Sequence, residues 1–340
     1  MSEKPPDREV LRTQYDDECR EYKKLKDSLK RDLKMLLDEA GIRVLAIESR
    51  IKEFDSFWTK MRLEHYDNPL EDMNDICGLR VICYYPSDLE PVCKVIKDAF
   101  EIIEYEDKAD SMEPEEFGYL SRHIIATPKG AWLTTPSYQG LDGLKAEIQV
   151  RTIFQHAWAE LSRELAYKKK EHVPRLFQRG LSRLSAMLEN VDEQFDAFHL
   201  AKAEYGRSMS EEARESGHFD VSQELNIDTL QAFLSFLVPN RAESVLDTSV
   251  LLEDLQTLQM TFVDILDACN RSPSALQGLE QDVRDVWGTG FEGWSQAGIA
   301  RAALDLMSDL WWNHRHEVLS VYPAYAQVVD RWRRKVEQTD

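Results

Sequence analysis

Several features are scarce in this 340-residue chain, and each scarcity narrows what it can be. No run of 18 or more apolar residues occurs, so no membrane-spanning helix is expected. Cysteine is sparse and odd in number: Cys19, Cys77, Cys83, Cys93 and Cys269 include no C-x-x-C pair and no nearby histidine at metal spacing. A disulfide framework and a zinc site are therefore not expected, and a reduced, cytoplasmic setting is the simplest reading. The opening Met1-Ser-Glu-Lys-Pro-Pro-Asp-Arg8 has no apolar signal core and does not read as secreted. Positive charge is also in short supply. Against 62 Asp and Glu stand 42 Lys and Arg, a net charge of -20, which weighs against a general nucleic-acid binder. A polyphosphate site needs only a local basic pocket and stays open. No internal repeat or low-complexity tract is present. What remains is 43% hydrophobic and 31% charged, an ordinary globular composition long enough for two domains.

The first half alternates between two periodicities. From Arg8 to Ala40 the residues Leu11, Tyr15, Tyr22, Leu25, Leu29, Leu33 and Leu36 make one helical stripe, with Gly41 as its stop. Arg43–Lys52 reads as extended and leads into a helix carrying Phe54, Phe57, Trp58 and Met61. Asp75–Tyr85 is the strongest strand, Pro86-Ser-Asp88 ends it, and a helix follows to Phe100. Further strands are expected at Glu101–Tyr105, Arg122–Thr127 and Leu144–Arg151. This pattern predicts an α/β (α+β) domain with a mixed sheet flanked by helices. After Thr152 the strand signals stop. Helices are expected at Ile153–Tyr167, from Pro174 to about Gly206, and around Asp228–Leu237, Ser249–Ala268, Pro273–Val286, Gly298–Trp312 and Tyr322–Val336. The domain expectation is thus 1–205, a polar linker at 206–218, and an all-α extension at 219–340.

Two carboxylates draw attention. Asp75 opens the strongest strand, and Glu147 alternates with Ile148 in Glu147-Ile-Gln-Val-Arg-Thr152. Acids at the ends of neighbouring strands can hold Mg²⁺ shared with substrate phosphates, or one can hold it while the other takes a proton from a hydroxyl. On pattern alone Glu147, Gln149 and Arg151 read equally as the solvent face of an amphipathic strand. The bases cluster nearby: Arg50 and Lys52 at a strand end, Ser56 and Lys60 one helical turn apart, Arg80 five residues after Asp75, and Arg151. Arginine grips phosphates and stacks on bases; lysine supplies a point charge. Tyr119, Ser121 and His123 occupy alternate positions, which in a strand share a face. A packed tyrosine and a satisfied histidine would leave the same trace.

Taken together and in order, four segments resemble the synthetase domain of RelA/SpoT alarmone synthetases, which has a nucleotidyltransferase-like fold. They are Arg50-x-Lys52-x-x-x-Ser56-x-x-x-Lys60, Asp75-Ile-Cys-Gly-Leu-Arg80-Val, Gly118-Tyr119-x-Ser121-x-His123 and Glu147-Ile-Gln-Val-Arg151-Thr152. Gln155-His-Ala-Trp-Ala-Glu160 and Tyr167-Lys168 also fit, and the resemblance covers roughly residues 40–170. It implies a GTP pyrophosphokinase that makes (p)ppGpp in the stringent response. By it, Arg50 and Arg80 sandwich the adenine of ATP, and Lys52, Ser56 and Lys60 hold its phosphates. Asp75 and Glu147 hold Mg²⁺ and act in catalysis. Tyr119 stacks on the guanine of GDP or GTP, with Ser121, His123, Gln149 and Arg151 on the acceptor side. The chain departs from the family pattern before Gly118. Phe117 stands where asparagine is common, and Pro114-Glu-Glu116 puts an acid where a lysine usually lies, which bears on the acceptor. No His-Asp dipeptide of the family's hydrolase domain occurs in the chain.

The later helices are rich in tryptophan (Trp287, Trp294, Trp311, Trp312 and Trp332) and are expected to form a regulatory or homo-oligomerisation module. Trp311-Trp312 with His314 and His316 reads as an apolar helix end in a core rather than a ligand site. Two rival functions remain. One is a toxin-like pyrophosphokinase acting on the tRNA 3′ end or on adenine nucleotides, for which Lys168–Lys170, Arg175, Arg179 and Arg183 supply a basic stretch. The other is a non-catalytic nucleotide-sensing module, which has no need of both carboxylates.

Overall fold

In this computed structural model the first helix, α1 (Arg8–Glu39), starts where Asp7 accepts hydrogen bonds from the N–H groups of Glu9 and Val10. It stops before Gly41, whose φ of +70° suits a residue without a Cβ. The structure describes residues 7–64, 66, 68–108, 121–165, 174–288, 291, 293–319 and 322–338. The buried stripe of α1 runs Leu11, Tyr15, Cys19, Tyr22, Leu25, Leu29, Leu33 and Leu37, the 3-and-4 spacing of one helix face. Each fully buried leucine contributes roughly 1.5–3 kcal/mol, so packing rather than propensity holds α1 in place. The Tyr15 hydroxyl donates to the Lys52 carbonyl and ties α1 to the end of the first strand.

The following elements are β1 (Val44–Ile51), α2 (Phe54–Leu63), α3 (Pro69–Asp72), β2 (Cys77–Cys83), α4 (Leu89–Ala99), β3 (Glu101–Asp107), β4 (Arg122–Thr127), α5 (Gly130–Leu133), β5 (Ala146–Thr152), α6 (Ile153–Glu164) and α7 (Arg175–Ser216). The five strands form one sheet in the order β1-β2-β5-β4-β3. Only β2 and β5 pair in parallel, and the other three pairings are antiparallel. This is the expected mixed sheet flanked by helices, with two short helices, α3 and α5, that the periodicity did not predict.

Alternation divides the sheet into two faces. Leu79, Val81, Ile124, Ala126, Ile148 and Val150 are buried in one core with α1 and with Val92, Cys93 and Ile96 of α4. The alternate residues Arg50, Gly78, Arg80, Glu147, Gln149 and His123 lie on the opposite face, matched across the strands by register. One face is committed to folding, which leaves the other for polar groups.

The chain divides into two compact units, Met1–Phe198 and His199–Asp340. The division falls within α7. The polar stretch 206–218 expected as a linker is helical as far as Ser216, and Gly217 (φ +75°) follows the helix. The second unit continues with α8 (Ile227–Leu237), α9 (Val245–Thr257), α10 (Phe262–Arg271), α11 (Pro273–Trp287), α12 (Gln296–Met307), α13 (Asp309–Leu319) and α14 (Pro323–Glu337). Among the described residues it is all-α, as expected. Two helices expected as single are each broken. Ser249–Ala268 is interrupted around Gln259 (φ +55°), after which Asp264 caps Thr261 and starts α10. Gly298–Trp312 is interrupted at Ser308, whose extended ψ of 116° ends α12. The unit packs around Phe219, Phe233 and Phe262, whose ring centroids lie 5.1–5.5 Å apart. Trp311 is fully buried in that core.

Candidate active site

Two short connections bring the acids and bases together. Asp75 lies in the turn just before β2, not at its first residue. The antiparallel register Ile51↔Cys77 continues past the strands, where the Lys52 N–H donates to the Ile76 carbonyl at 2.9 Å. That pairing sets Lys52 beside Asp75, with Nζ to Oδ2 at 2.5 Å. Helix α2 returns Lys60 to the same carboxylate, with Nζ to Oδ1 at 3.2 Å. Burial pushes the Asp75 carboxyl upward, yet the two ammonium groups outweigh it and hold it below the ordinary aspartate range. Ser56 is exposed on α2, one turn before Lys60.

Glu147 enters from β5. Parallel pairing sets it opposite Gly78, at the same end of the β2–β5 pair as Asp75. His123 of β4 pairs with Gln149 and so stands diagonal to Glu147, with Nδ1 to Oε1 at 2.9 Å. Gln149 donates to the other carboxylate oxygen at 3.0 Å. Burial again acts upward on this group, as does the charge of Asp75. The His123 and Gln149 hydrogen bonds prevail and leave Glu147 below the usual glutamate range. Both acids are thus ionised at neutral pH, at the same end of the adjacent central strands β2 and β5.

Beside them, on the polar face of the sheet, lies a cavity of about 400 Å³ whose lining includes Arg50, Gly78, Arg80, Glu147 and Gln149, a size suited to a small-molecule ligand. Gly78 forms its floor: a Cβ there would touch the Arg50 side chain at 3.6 Å. Arg80 is held by Glu160 of α6 at 2.9 Å and lies 3.6 Å from Glu48. Arg151 is fully buried and donates to the Gln149 side chain, so the structure brings it to Gln149 and not to the cavity wall. Ser121 is buried just before β4, and Tyr119 lies outside the described residues.

Sequence reasoning assigned no role to Glu160, Glu48 or Lys30, the last of which also lines the cavity. Glu160 belonged to the matching tail, but its pairing with Arg80 depends on how α6 folds back over β2. Among the described residues no cluster of three or more His, Cys, Asp or Glu is arranged as a ready-made metal cage. Two ionised carboxylates without further ligands suit a hard cation completed by phosphate oxygens and water. The donor set therefore fits Mg²⁺ brought with a polyphosphate. No described helix is long and apolar enough to cross a membrane.

Residues 49–172 match the family described as the region found in RelA/SpoT proteins. Over 153 residues the chain is 29% identical to the GTP pyrophosphokinase YwaC of Bacillus subtilis (strain 168), covering 43% of this chain and 70% of that protein. It is 26% identical over 151 residues to the GTP pyrophosphokinase YjbM of the same organism, covering 44% of this chain and 68% of that one. Among solved structures, the small alarmone synthetase 1 from Bacillus subtilis aligns with a TM-score of 0.48 at 24% identity, covering 56% of this chain and 98% of that chain. The second unit lies outside the family segment.

Proposed function

We propose, from the premise that residues 49–172 belong to the RelA/SpoT family, that this chain transfers pyrophosphate from ATP to the 3′-hydroxyl of GDP or GTP. The observation that carries the proposal is the pair of ionised acids, Asp75 and Glu147, at one end of β2 and β5 beside the cavity that Arg50 and Arg80 line.

Arg50 and Arg80 are diagonal neighbours across β1 and β2. Diagonal positions stand roughly 7–8 Å apart, the spacing at which two planar guanidinium groups can hold a flat ring between them. That ring is the adenine of ATP. Lys52 and Lys60, now on Asp75, are long enough to turn to the β- and γ-phosphates as they arrive, with Ser56 beside them. Asp75 and Glu147 would then hold Mg²⁺ with phosphate oxygens, and the ion supplies charge neutralisation at the transferring group.

Glu147, kept ionised by His123 and Gln149, orients the acceptor hydroxyl and receives its proton. The hydroxyl oxygen bonds to the β-phosphorus, the bond from that phosphorus to the bridging oxygen breaks, and AMP leaves with that oxygen. Tyr119, Ser121 and Arg151 belong to the acceptor side of this proposal, Arg151 by propping Gln149. The product places the chain in alarmone metabolism.

The test uses ATP labelled at the γ-phosphate with Mg²⁺ and, in separate reactions, GDP, GTP, ATP or deacylated tRNA. Label is expected on GDP or GTP, with loss on the order of 10³-fold in Asp75→Asn and Glu147→Gln, the scale for removing a group that stabilises transition-state charge. Label on tRNA or ATP instead would overturn the acceptor. Undiminished transfer in both variants would overturn the site.

A further inference from the structure

The second unit contains a cavity of about 290 Å³ that the reaction above does not use. Its walls are aromatic and cationic: Trp287, Trp294, Tyr322 and Tyr325 surround Arg301 and Arg315. Trp287 and Tyr322 are 45% and 57% exposed, so large rings stand open to solvent beside it.

The arginines differ in how their charge is met. Arg315 donates to both oxygens of Asp305, at 3.0 and 2.8 Å. Asp305 is fully buried and also accepts from the Trp311 indole at 2.9 Å and the Tyr325 hydroxyl at 2.8 Å. It is saturated. The carboxylate of Asp247, also in the wall, accepts from the Ser295 hydroxyl at 2.6 Å. Arg301 donates to the Asp247 backbone carbonyl at 2.9 Å, while its Nε is buried with no hydrogen-bond partner among the described residues. A desolvated guanidinium with an unused N–H is costly, and an oxyanion is the acceptor its planar edge fits.

We infer that the helical unit binds a planar aromatic anion of nucleoside-monophosphate size, its oxyanion on Arg301 and its ring against Trp287 and Tyr322. The cavity has room for one ring system and one anionic group. Indole and phenol faces bind flat rings without demanding one particular base. Asp247 remains available to accept from an amino or hydroxyl group of the ligand.

The experiment uses the full chain carrying Arg50→Ala and Arg80→Ala, which empties the sheet cavity and keeps this test separate from that of the proposed reaction. AMP and GMP are titrated by calorimetry and by tryptophan fluorescence, with adenosine and inorganic phosphate as partial ligands. One equivalent of AMP or GMP is expected to bind and quench fluorescence, with adenosine and phosphate each at least about tenfold weaker. Adding Arg301→Gln is expected to weaken nucleotide binding about tenfold or more, and Trp287→Leu, at a half-exposed position, several-fold with loss of quenching. Absence of saturable nucleotide binding overturns the inference. So does adenosine or phosphate binding as tightly as the nucleotide, or binding unchanged in Trp287→Leu. Circular dichroism identifies an Arg301→Gln chain that has not folded, in which case Trp287→Leu decides.

Discussion

The two units treat buried charge in opposite ways. In the first, Asp75 is met by two lysines on flexible stems, and the three side chains keep 10–32% of their surface in solvent. In the second, Asp305 has no exposure at all and is met by an arginine, an indole and a phenol that belong to α13 and α14. The lysine pairs can open when a better anion arrives, because each ammonium swings on a flexible stem and can exchange the carboxylate for a phosphate oxygen. The Asp305 knot cannot open without unpacking three helices. Ionic bonds of similar length thus suit the binding proposed for one unit and a framework in the other.

The sharpest way to test that contrast is Asp305→Asn, which keeps the shape and removes the charge. It leaves the Arg315 guanidinium, 13% exposed, without its counter-ion, and stranding a buried charge typically costs about 3–5 kcal/mol. Hydrogen exchange should show protection lost in α12–α14 and retained in β1–β5. Equal loss in the sheet would mean that the units unfold as one, and the contrast would fail. A loss below about 1 kcal/mol would show that Asp305 is not a framework residue.

The next effect has the opposite sign. Asp192 of α7 is a buried acid of the first unit, 4% exposed, yet its Oδ2 accepts from the neutral Thr152 hydroxyl at 2.5 Å and its Oδ1 has no hydrogen-bond partner among the described residues. Burial pushes its carboxyl up from 3.8 to about 6, aided by the charges of Asp196 and Glu193. The fold therefore binds this proton more tightly than the unfolded chain. Stability from this group is full below about pH 4, declines as pH rises through about 6, and stays lost at neutral pH. Asp192→Asn should stabilise the protein by on the order of 2 kcal/mol at pH 7 and by nearly nothing at pH 4, read from denaturant midpoints. Equal gains at both pH values would mean that the effect is packing, not charge.

How much of this was readable in advance follows the range of each interaction. The strand carrying Glu147, Gln149 and Arg151 between Ala146, Ile148 and Val150 shows its two faces through alternation alone. The stripe of α1 is equally local. The His123–Glu147 bond is not, because it depends on β4 pairing with β5 in one register across the intervening residues 128–145. Lys60 meets Asp75 only because α2 folds back, so its sequence trace is that of a solvated helix face. In the second unit the breaks at Gln259 and Ser308 carry neither glycine nor proline, and tertiary packing rather than local propensity ends those helices. The buried faces of α12 include Ala297, Ala300, Ala302 and Ala303, which read as good helix formers and say nothing about which neighbours cover them.

The smallest expected effect sharpens the contrast from the binding side. Glu160 accepts from Arg80 at 2.9 Å and from Arg163 at 2.9 Å, and it is 42% exposed. Partly exposed pairs of this kind contribute about 0.2–1 kcal/mol. Glu160→Gln should therefore free Arg80 toward Glu48, which lies 3.6 Å away, and tilt the guanidinium off the adenine plane without unfolding anything. The expected reading is a KM for ATP raised by roughly two- to fivefold, with kcat and the KM for the acceptor unchanged. A fall in kcat would put Glu160 in the chemistry. An unchanged KM for ATP would mean that Arg80 holds its pose without Glu160, and the first unit's ion pairs would then be as self-sufficient as the second's.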